Sequence, residues 1–225
     1  PAGSEHRAHW GADMRVVVTG GAGFIGSHVV DDLVLEGHDV LIVDDLSTGL
    51  EANLNPSADF VKMDIVDHGL TALLAKFCPD AVSHLAAQTS VTVSVDARTN
   101  VHGALNVLNA SMSAGVERFI YVTTGGALYG EPDYIPCDEE HPVRPSSPYG
   151  LSKWTFERYL GVHAPDGMLV QVLRLANVYG PRQPPGGESG VVSILGSLML
   201  ASGQVTIFGD GEQSTAPWTT RLQPP

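Results

Sequence analysis

The stretch "MRVVVTGGAGFIGSHVVDDLVLEG", residues 14–37, decides the fold. It opens on a β-branched run, Val16 to Thr19, which reads as a buried strand. It closes on a segment with Ile25, Val29, Leu33 and Glu36 at helical spacing and Gly37 as a stop. Gly21, Gly23 and Gly26 satisfy G-x-G-x-x-G, and Gly20, Gly23 and Gly26 satisfy G-x-x-G-x-x-G. A lone glycine pattern is weak, but here a strand precedes it and a helix follows. Glycine permits the tight turn and lets the backbone approach a pyrophosphate. The helix N-terminus then supplies free N–H groups and a partial positive charge.

The same rhythm repeats outward. Strands are predicted at "DVLIVD" (39–44), "DFVKMD" (59–64), "DAVSHLAA" (80–87), "RFIYVTT" (118–124) and "MLVQVLRLANVYG" (168–180, with its exit loop). Helices are predicted at 69–77, at 96–114 and from Tyr149 onward. Apolar strands alternating with helices imply a parallel sheet covered on both faces, an α/β, doubly wound (Rossmann) fold. After residue 180 the rhythm changes. A linker, "GPRQPPGGESG" (180–190), precedes an apolar helix at 191–203, a short strand in "QVTIFGDG" and a tail without periodicity.

Composition narrows the function. The 225 residues are 43% hydrophobic, and 12 basic against 25 acidic residues leave a net charge of -13. That field repels nucleic acid and anionic membrane, so neither is expected as a partner. Cys78 and Cys137 show neither metal-ligand spacing nor a disulfide framework, so no metal site is expected. His6 and His9 lack further ligands nearby. No apolar run reaches the length of a membrane span, and residues 1–13 lack a signal-peptide core, so a cytoplasmic location is expected. Those 13 residues precede Met14 and read as a leader.

Asp44 ends the second strand, 18 residues after Gly26, where a carboxylate can bond both hydroxyls of an adenosine ribose. With Asp45 it would repel a 2′-phosphate, which favours NAD over NADP. In "SPYGLSKWTFE" (147–157), Tyr149 and Lys153 stand four apart and share a helix face. A nearby ammonium favours the phenolate, so the pair is expected to act as a general acid/base near neutrality.

These residues resemble the extended short-chain dehydrogenase/reductase family in "TGGAGFIGSH", "HLAA" and "YGLSK". "LRLANVYGPRQ" and "IFGDG" are similar to its nucleotide-sugar branch, with UDP-glucose 4-epimerase-like proteins nearest, over about residues 14–214. The resemblance implies that Gly20, Gly23, Phe24, Ile25 and Gly26 hold the pyrophosphate of NAD. It places Asp44, Leu46, Thr48 and Gly49 at the adenosine ribose and Asp64 and Ile65 at the adenine. Leu85, Ala86, Ala87 and Gln88 would line the nicotinamide, with Asn100 near the active-site strand end and Lys153 on the nicotinamide ribose. Asn177 would meet the phosphates of a UDP-sugar.

The family's Ser or Thr, four residues before the tyrosine of "YG", falls on Gly125, so Thr124 is taken as the third catalytic member with Thr123 as the spare. The implied reaction is 4-epimerisation of a UDP-hexose through a transient 4-keto sugar, with Tyr149 as the base and Thr124 on the 4-oxygen. A 4,6-dehydratase would carry an acid pair where Gly125 and Gly126 stand. Residues 14–180 are expected to form the NAD-binding domain and 181–225 an incomplete, small C-terminal substrate-binding lobe. The family's nucleotide-gripping "R-D-[FY]-x-x-V-x-D" segment has no counterpart. A second expectation is therefore an NAD-binding fragment without turnover. The family's mode of association implies a homodimer through a four-helix bundle of the helices near 96–114 and 149–163.

Overall fold

The computed structural model describes residues 13–88, 97–184 and 190–203. In chain order these form β1 (Arg15–Thr19), α1 (Phe24–Leu35), β2 (Asp39–Asp44), β3 (Asp59–Lys62), α2 (Gly69–Phe77), β4 (Ala81–His84), α3 (Ala104–Ser113), β5 (Arg118–Thr124), α4 (Pro148–His163), β6 (Leu169–Leu175) and α5 (Val191–Ser202). The strands form one sheet in the order β3-β2-β1-β4-β5-β6, with every pairing parallel. The chain winds outward from β1 in one direction and from β4 in the other. The reversal opens a crevice beyond their carboxyl ends. Register sets Thr19 beside both Val43 and His84, and Thr124 beside Leu175. The sheet's functional edge is therefore fixed by hydrogen bonding.

The alternation of side chains builds two layers. On one face Val17, Leu41, Val43, Val82, Phe119 and Tyr121 meet α2, α3 and α4 through Leu70, Leu74, Val107, Leu108, Phe156 and Leu160. On the other, Val16, Val18, Val40, Ile42 and Ala81 meet Val30 of α1, with Val29 and Leu33 beside it. The double covering expected from the sequence is complete over β1 and β2. Over β5 and β6 the second face is only partly shielded, and Ile120, Val122 and Leu173 stay half-buried.

Two elements depart from the sequence expectation. The helix expected over 96–114 begins as a π-helical turn, Arg98–Gly103, before α3. The fourth strand stops at His84, so Leu85 to Gln88 leave the sheet as a loop. Residues 1–12 with His6 and His9, the strand expected at 204–211, the tail and part of the linker lie outside the described residues.

Candidate active site

The glycine-rich turn joins β1 to α1 at the crevice. The Gly23 N–H donates to the Gly20 carbonyl at 3.1 Å, and Gly20 itself bonds across to Val43. Gly26 follows one helical turn later. A Cβ there would stand 2.1 Å from the Gly20 oxygen, so any other residue would force the turn open. No side chain caps the first turn of α1, which begins with Phe24 and Ile25. Its N–H groups are therefore offered to an anion. A backbone cradle that a single Cβ would fill fits a dinucleotide pyrophosphate.

Asp44 closes β2 beside the glycine turn. It is buried, accepting from the Ala22 N–H through Oδ2 at 3.0 Å and from the Leu46 N–H through Oδ1 at 2.8 Å. Each oxygen keeps a lone pair for a ribose hydroxyl. Gly49 packs against Asp44 and Ala22, Leu46 has φ +60°, and Thr48 is exposed beside them. Asp64 caps its own loop at the Val66 N–H and pairs with Arg98 at 2.8 Å. Ile65 is buried, and the Asn106 amide donates to its carbonyl at 2.7 Å. Sequence reasoning missed Arg98 and Asn106, because both reach the adenine-side loop from a segment more than thirty residues away.

Leu85, Ala86, Ala87 and Gln88 run along the crevice, tied to β1 where the Leu85 N–H donates to Thr19 O and the Ala86 N–H to Thr19 Oγ1. Asn100 is nearly sealed, and its amide is fully engaged with protein. It accepts from the Gln88 N–H at 2.8 Å and donates to the Gln88 carbonyl and to Ser152 Oγ, each at 3.0 Å. Ser152 Oγ in turn donates to the Tyr149 carbonyl. Asn100 therefore joins the exit of β4 to α4, a clamp across 52 residues of sequence.

Tyr149 stands in the first turn of α4. Pro148 starts that helix, and Ser147 Oγ caps it by accepting from the Gly150 N–H. A Cβ on Gly150 would meet the Ala127 oxygen at 2.2 Å, so only glycine lets the helix start lie against the loop after β5. That contact brings Tyr149 to the turn containing Thr124. Thr124 is partly exposed, and its Oγ1 accepts from the Ala127 N–H at 3.2 Å. Its own hydroxyl proton stays available to a ligand. Thr123 points to the opposite face, 4% exposed, with its hydroxyl sealed in the core. Of the two threonines only Thr124 is open to the crevice. Asn177 is exposed behind Gly126. Beyond it a cleft of about 340 Å³ runs between α1 and the segment after β6, lined by Phe24, Ile25, His28, Val178 and Tyr179 among others.

The electrostatics differ from the expected activation of the phenol. Burial pushes the Tyr149 phenol up to about 12 and the Lys153 ammonium down to about 7. Each is driven toward its neutral form, so in this arrangement desolvation outweighs mutual attraction. Lys153 is 3% exposed, and its Nζ lies 4.5 Å over the Tyr121 ring. Beneath it His84, also sealed, stands with Nδ1 2.7 Å from Thr19 Oγ1 and stacks on Tyr121. Burial first, and the lysine charge second, hold His84 down to about 3. Among the described residues no cluster of His, Cys, Asp or Glu could hold a metal, and no helix is long and apolar enough to cross a membrane.

The chain is similar to known proteins in sequence and in fold. A UDP-glucose 4-epimerase from Mycolicibacterium smegmatis is 45% identical over 212 residues, 89% of this chain and 68% of its own. The crystal structure of a UDP-glucose 4-epimerase with UDP-glucose from Thermotoga maritima superposes with a TM-score of 0.84 at 48% identity, covering 88% of this chain and 67% of that one. A Thermus thermophilus UDP-glucose 4-epimerase in complex with NAD gives 0.78 at 47% identity, over 83% and 63%. The chain thus spans about two thirds of the length of these relatives. The glycine turn, Asp44 and the helix with Tyr149 and Lys153 fall within residues 16–216, which match the family model described as "NAD dependent epimerase/dehydratase family", and the chain belongs to that family.

Proposed function

We propose that this chain binds NAD and carries the catalytic core for 4-epimerisation of a UDP-hexose of the UDP-glucose/UDP-galactose type. The observation that carries this reading is the placement of Tyr149, Lys153 and Thr124 at the carboxyl edge of the sheet, beside a glycine cradle and a buried ribose carboxylate. When bound, NAD would supply a reversible acceptor for the hydride from the sugar's C4 and a positive charge that favours the phenolate. Tyr149 removes the proton from the 4-hydroxyl and returns it after the 4-keto sugar has turned its other face. Thr124 donates its hydroxyl hydrogen to the 4-oxygen. Lys153 holds the cofactor ribose and opposes the burial that raises the phenol. Gly20, Gly23, Phe24, Ile25 and Gly26 bind the pyrophosphate, Asp44 the adenosine ribose with Leu46, Thr48 and Gly49 around it, and Asp64 and Ile65 the adenine. Leu85, Ala86, Ala87 and Gln88 line the nicotinamide, and Asn100 holds that lining in place. Asn177 meets the sugar-nucleotide phosphates.

Residues 14–180 act as the NAD-binding unit, and 181–225 begin the substrate lobe. The protein works in the cytoplasm as a homodimer. Leu151, Tyr159 and Val162 form an exposed stripe on α4 that supports pairing with a second copy. The experiment quantifies NAD released on denaturation and 4-epimer formed from UDP-glucose or UDP-galactose, beside Tyr149→Phe. The variant should retain NAD and lose turnover by about 10²- to 10⁴-fold. NAD release without any turnover would assign the chain a binding role alone, and a preparation with neither bound NAD nor turnover would overturn the reading.

A further inference from the structure

Lys153 carries its charge in an unusual place. Its side chain is buried against β5 and its own helix, 3% exposed, and no hydrogen bond or ion pair reaches Nζ among the described residues. The ionisable groups facing it are His84 from β4 and Tyr121 from β5, and Tyr149, one turn earlier on α4, acts on Tyr121. Glu157, one turn further along α4, is engaged by Arg174. Neither His84 nor Tyr121 offers Lys153 a negative charge. Burial leaves His84 neutral and pushes the Tyr121 phenol far above its ordinary value.

What Lys153 does have is an aromatic face. The Tyr121 ring lies 4.5 Å from Nζ, within the range where a cation is attracted to the ring quadrupole, an attraction that strengthens when the cation is desolvated. The ring is itself rigidly held. Its hydroxyl donates to the Lys153 carbonyl at 3.3 Å, His84 stacks on it at 5.8 Å, and Phe156 closes it edge-on at 4.8 Å. Tyr121 thus grips Lys153 twice, by the backbone through its hydroxyl and by the ammonium through its face.

We propose that Tyr121 is a positioning residue whose ring face keeps Lys153 charged and in place next to Tyr149. This deepens the acid/base reading above and rests on it for its functional meaning. Its physical content concerns one lysine and one ring. Because the ring attracts only the charged form, removing it should make Lys153 lose its proton at lower pH.

The test is a titration. The chain is labelled with carbon-13 at lysine Cε, and the Lys153 resonance is assigned by its loss in Lys153→Arg. Its midpoint is then compared in wild type, Tyr121→Phe and Tyr121→Leu. Phe keeps the face and should titrate as wild type does. Leu removes the face and should lower the midpoint by about one pH unit. Tyr121 lies in the core, so the Leu variant risks a loss of fold. Phenylalanines carrying successive ring fluorines at position 121 preserve the shape and drain the quadrupole. The midpoint should fall stepwise along that series. A midpoint indifferent to fluorination overturns the proposal, as does a drop in Tyr121→Phe equal to that in Tyr121→Leu. No cofactor or sugar is added, so this outcome is read separately from NAD release and epimer formation.

Discussion

His84 and Lys153 are ionisable, buried and electrostatically coupled, and this makes the protein's stability depend on pH at the level of single residues. His84 is held down to about 3 from an ordinary 6.5, so between those values the unfolded chain takes up a proton that the folded chain refuses. Stability should therefore fall as pH drops through that window, by up to about 1.4 kcal/mol per pH unit. Lys153 is held down to about 7 from 10.5. Below that window it is charged in both states, and its burial cost is fully present. The cost is relieved as pH rises from about 7 toward 10.5, so stability should rise there. The measurement is the denaturant midpoint against pH for wild type, His84→Phe and Lys153→Met. The wild-type-minus-His84→Phe difference should slope only on the acid side, and that for Lys153→Met only on the alkaline side. A flat difference in either window would mean that the group titrates in the fold as it does in water.

Among elements, the π-helical turn Arg98–Gly103 has the clearest task. Asn100 lies in it, and its amide satisfies both the N–H and the carbonyl of Gln88 while reaching Ser152 on α4. Removing it takes one hydrogen bond each from the half-buried N–H and carbonyl of Gln88 and from the Ser152 hydroxyl, each worth about 1 kcal/mol. Asn100→Ala should therefore lower stability by about 2–4 kcal/mol, and amide exchange at Gln88 should accelerate before the rest of the sheet opens. Unchanged exchange at Gln88 would show that the loop is held by something else. Little of this was legible in the sequence. The strands, α1, α2 and α4 were, because each follows a period of apolar residues or a local cap such as Ser147–Pro148. The glycine turn was legible because its glycines fall within seven residues of one another, between a strand and a helix. The clamp was not, since Asn100, Gln88 and Ser152 meet only after the sheet has formed. Tyr121 and His84 looked like ordinary strand residues for the same reason. That Thr123 is buried and Thr124 half-buried depends on which face of β5 turns inward. Local sequence around the doubled glycine leaves that open.

At the scale of the whole molecule the sheet is divided at its crevice. Strands β1 to β3 carry the glycine turn and Asp44, and β4 to β6 with α4 carry Thr124, Tyr149 and Lys153. The outer half is the less protected one, since Ile120, Val122 and Leu173 stay half-buried on its second face. A ligand that touches both halves binds the folded chain and not the unfolded one, so it should stabilise the whole unit by mass action. At a hundredfold excess over its dissociation constant NAD should contribute about 2.7 kcal/mol, which for a chain of this size raises Tm by roughly 5–10 °C. NADP places its 2′-phosphate against the Asp44 carboxylate and should give a much smaller shift at equal concentration. Gly26→Ala drives a methyl into the Gly20 carbonyl and should weaken NAD by at least about tenfold, largely cancelling the shift. Melting curves with NAD, with NADP and with Gly26→Ala decide this together. Equal shifts from the two dinucleotides would remove Asp44 and its neighbour Asp45 as the selecting charges. A full NAD shift surviving in Gly26→Ala would place the cofactor away from the cradle altogether, since a pyrophosphate seated there cannot tolerate the opened turn.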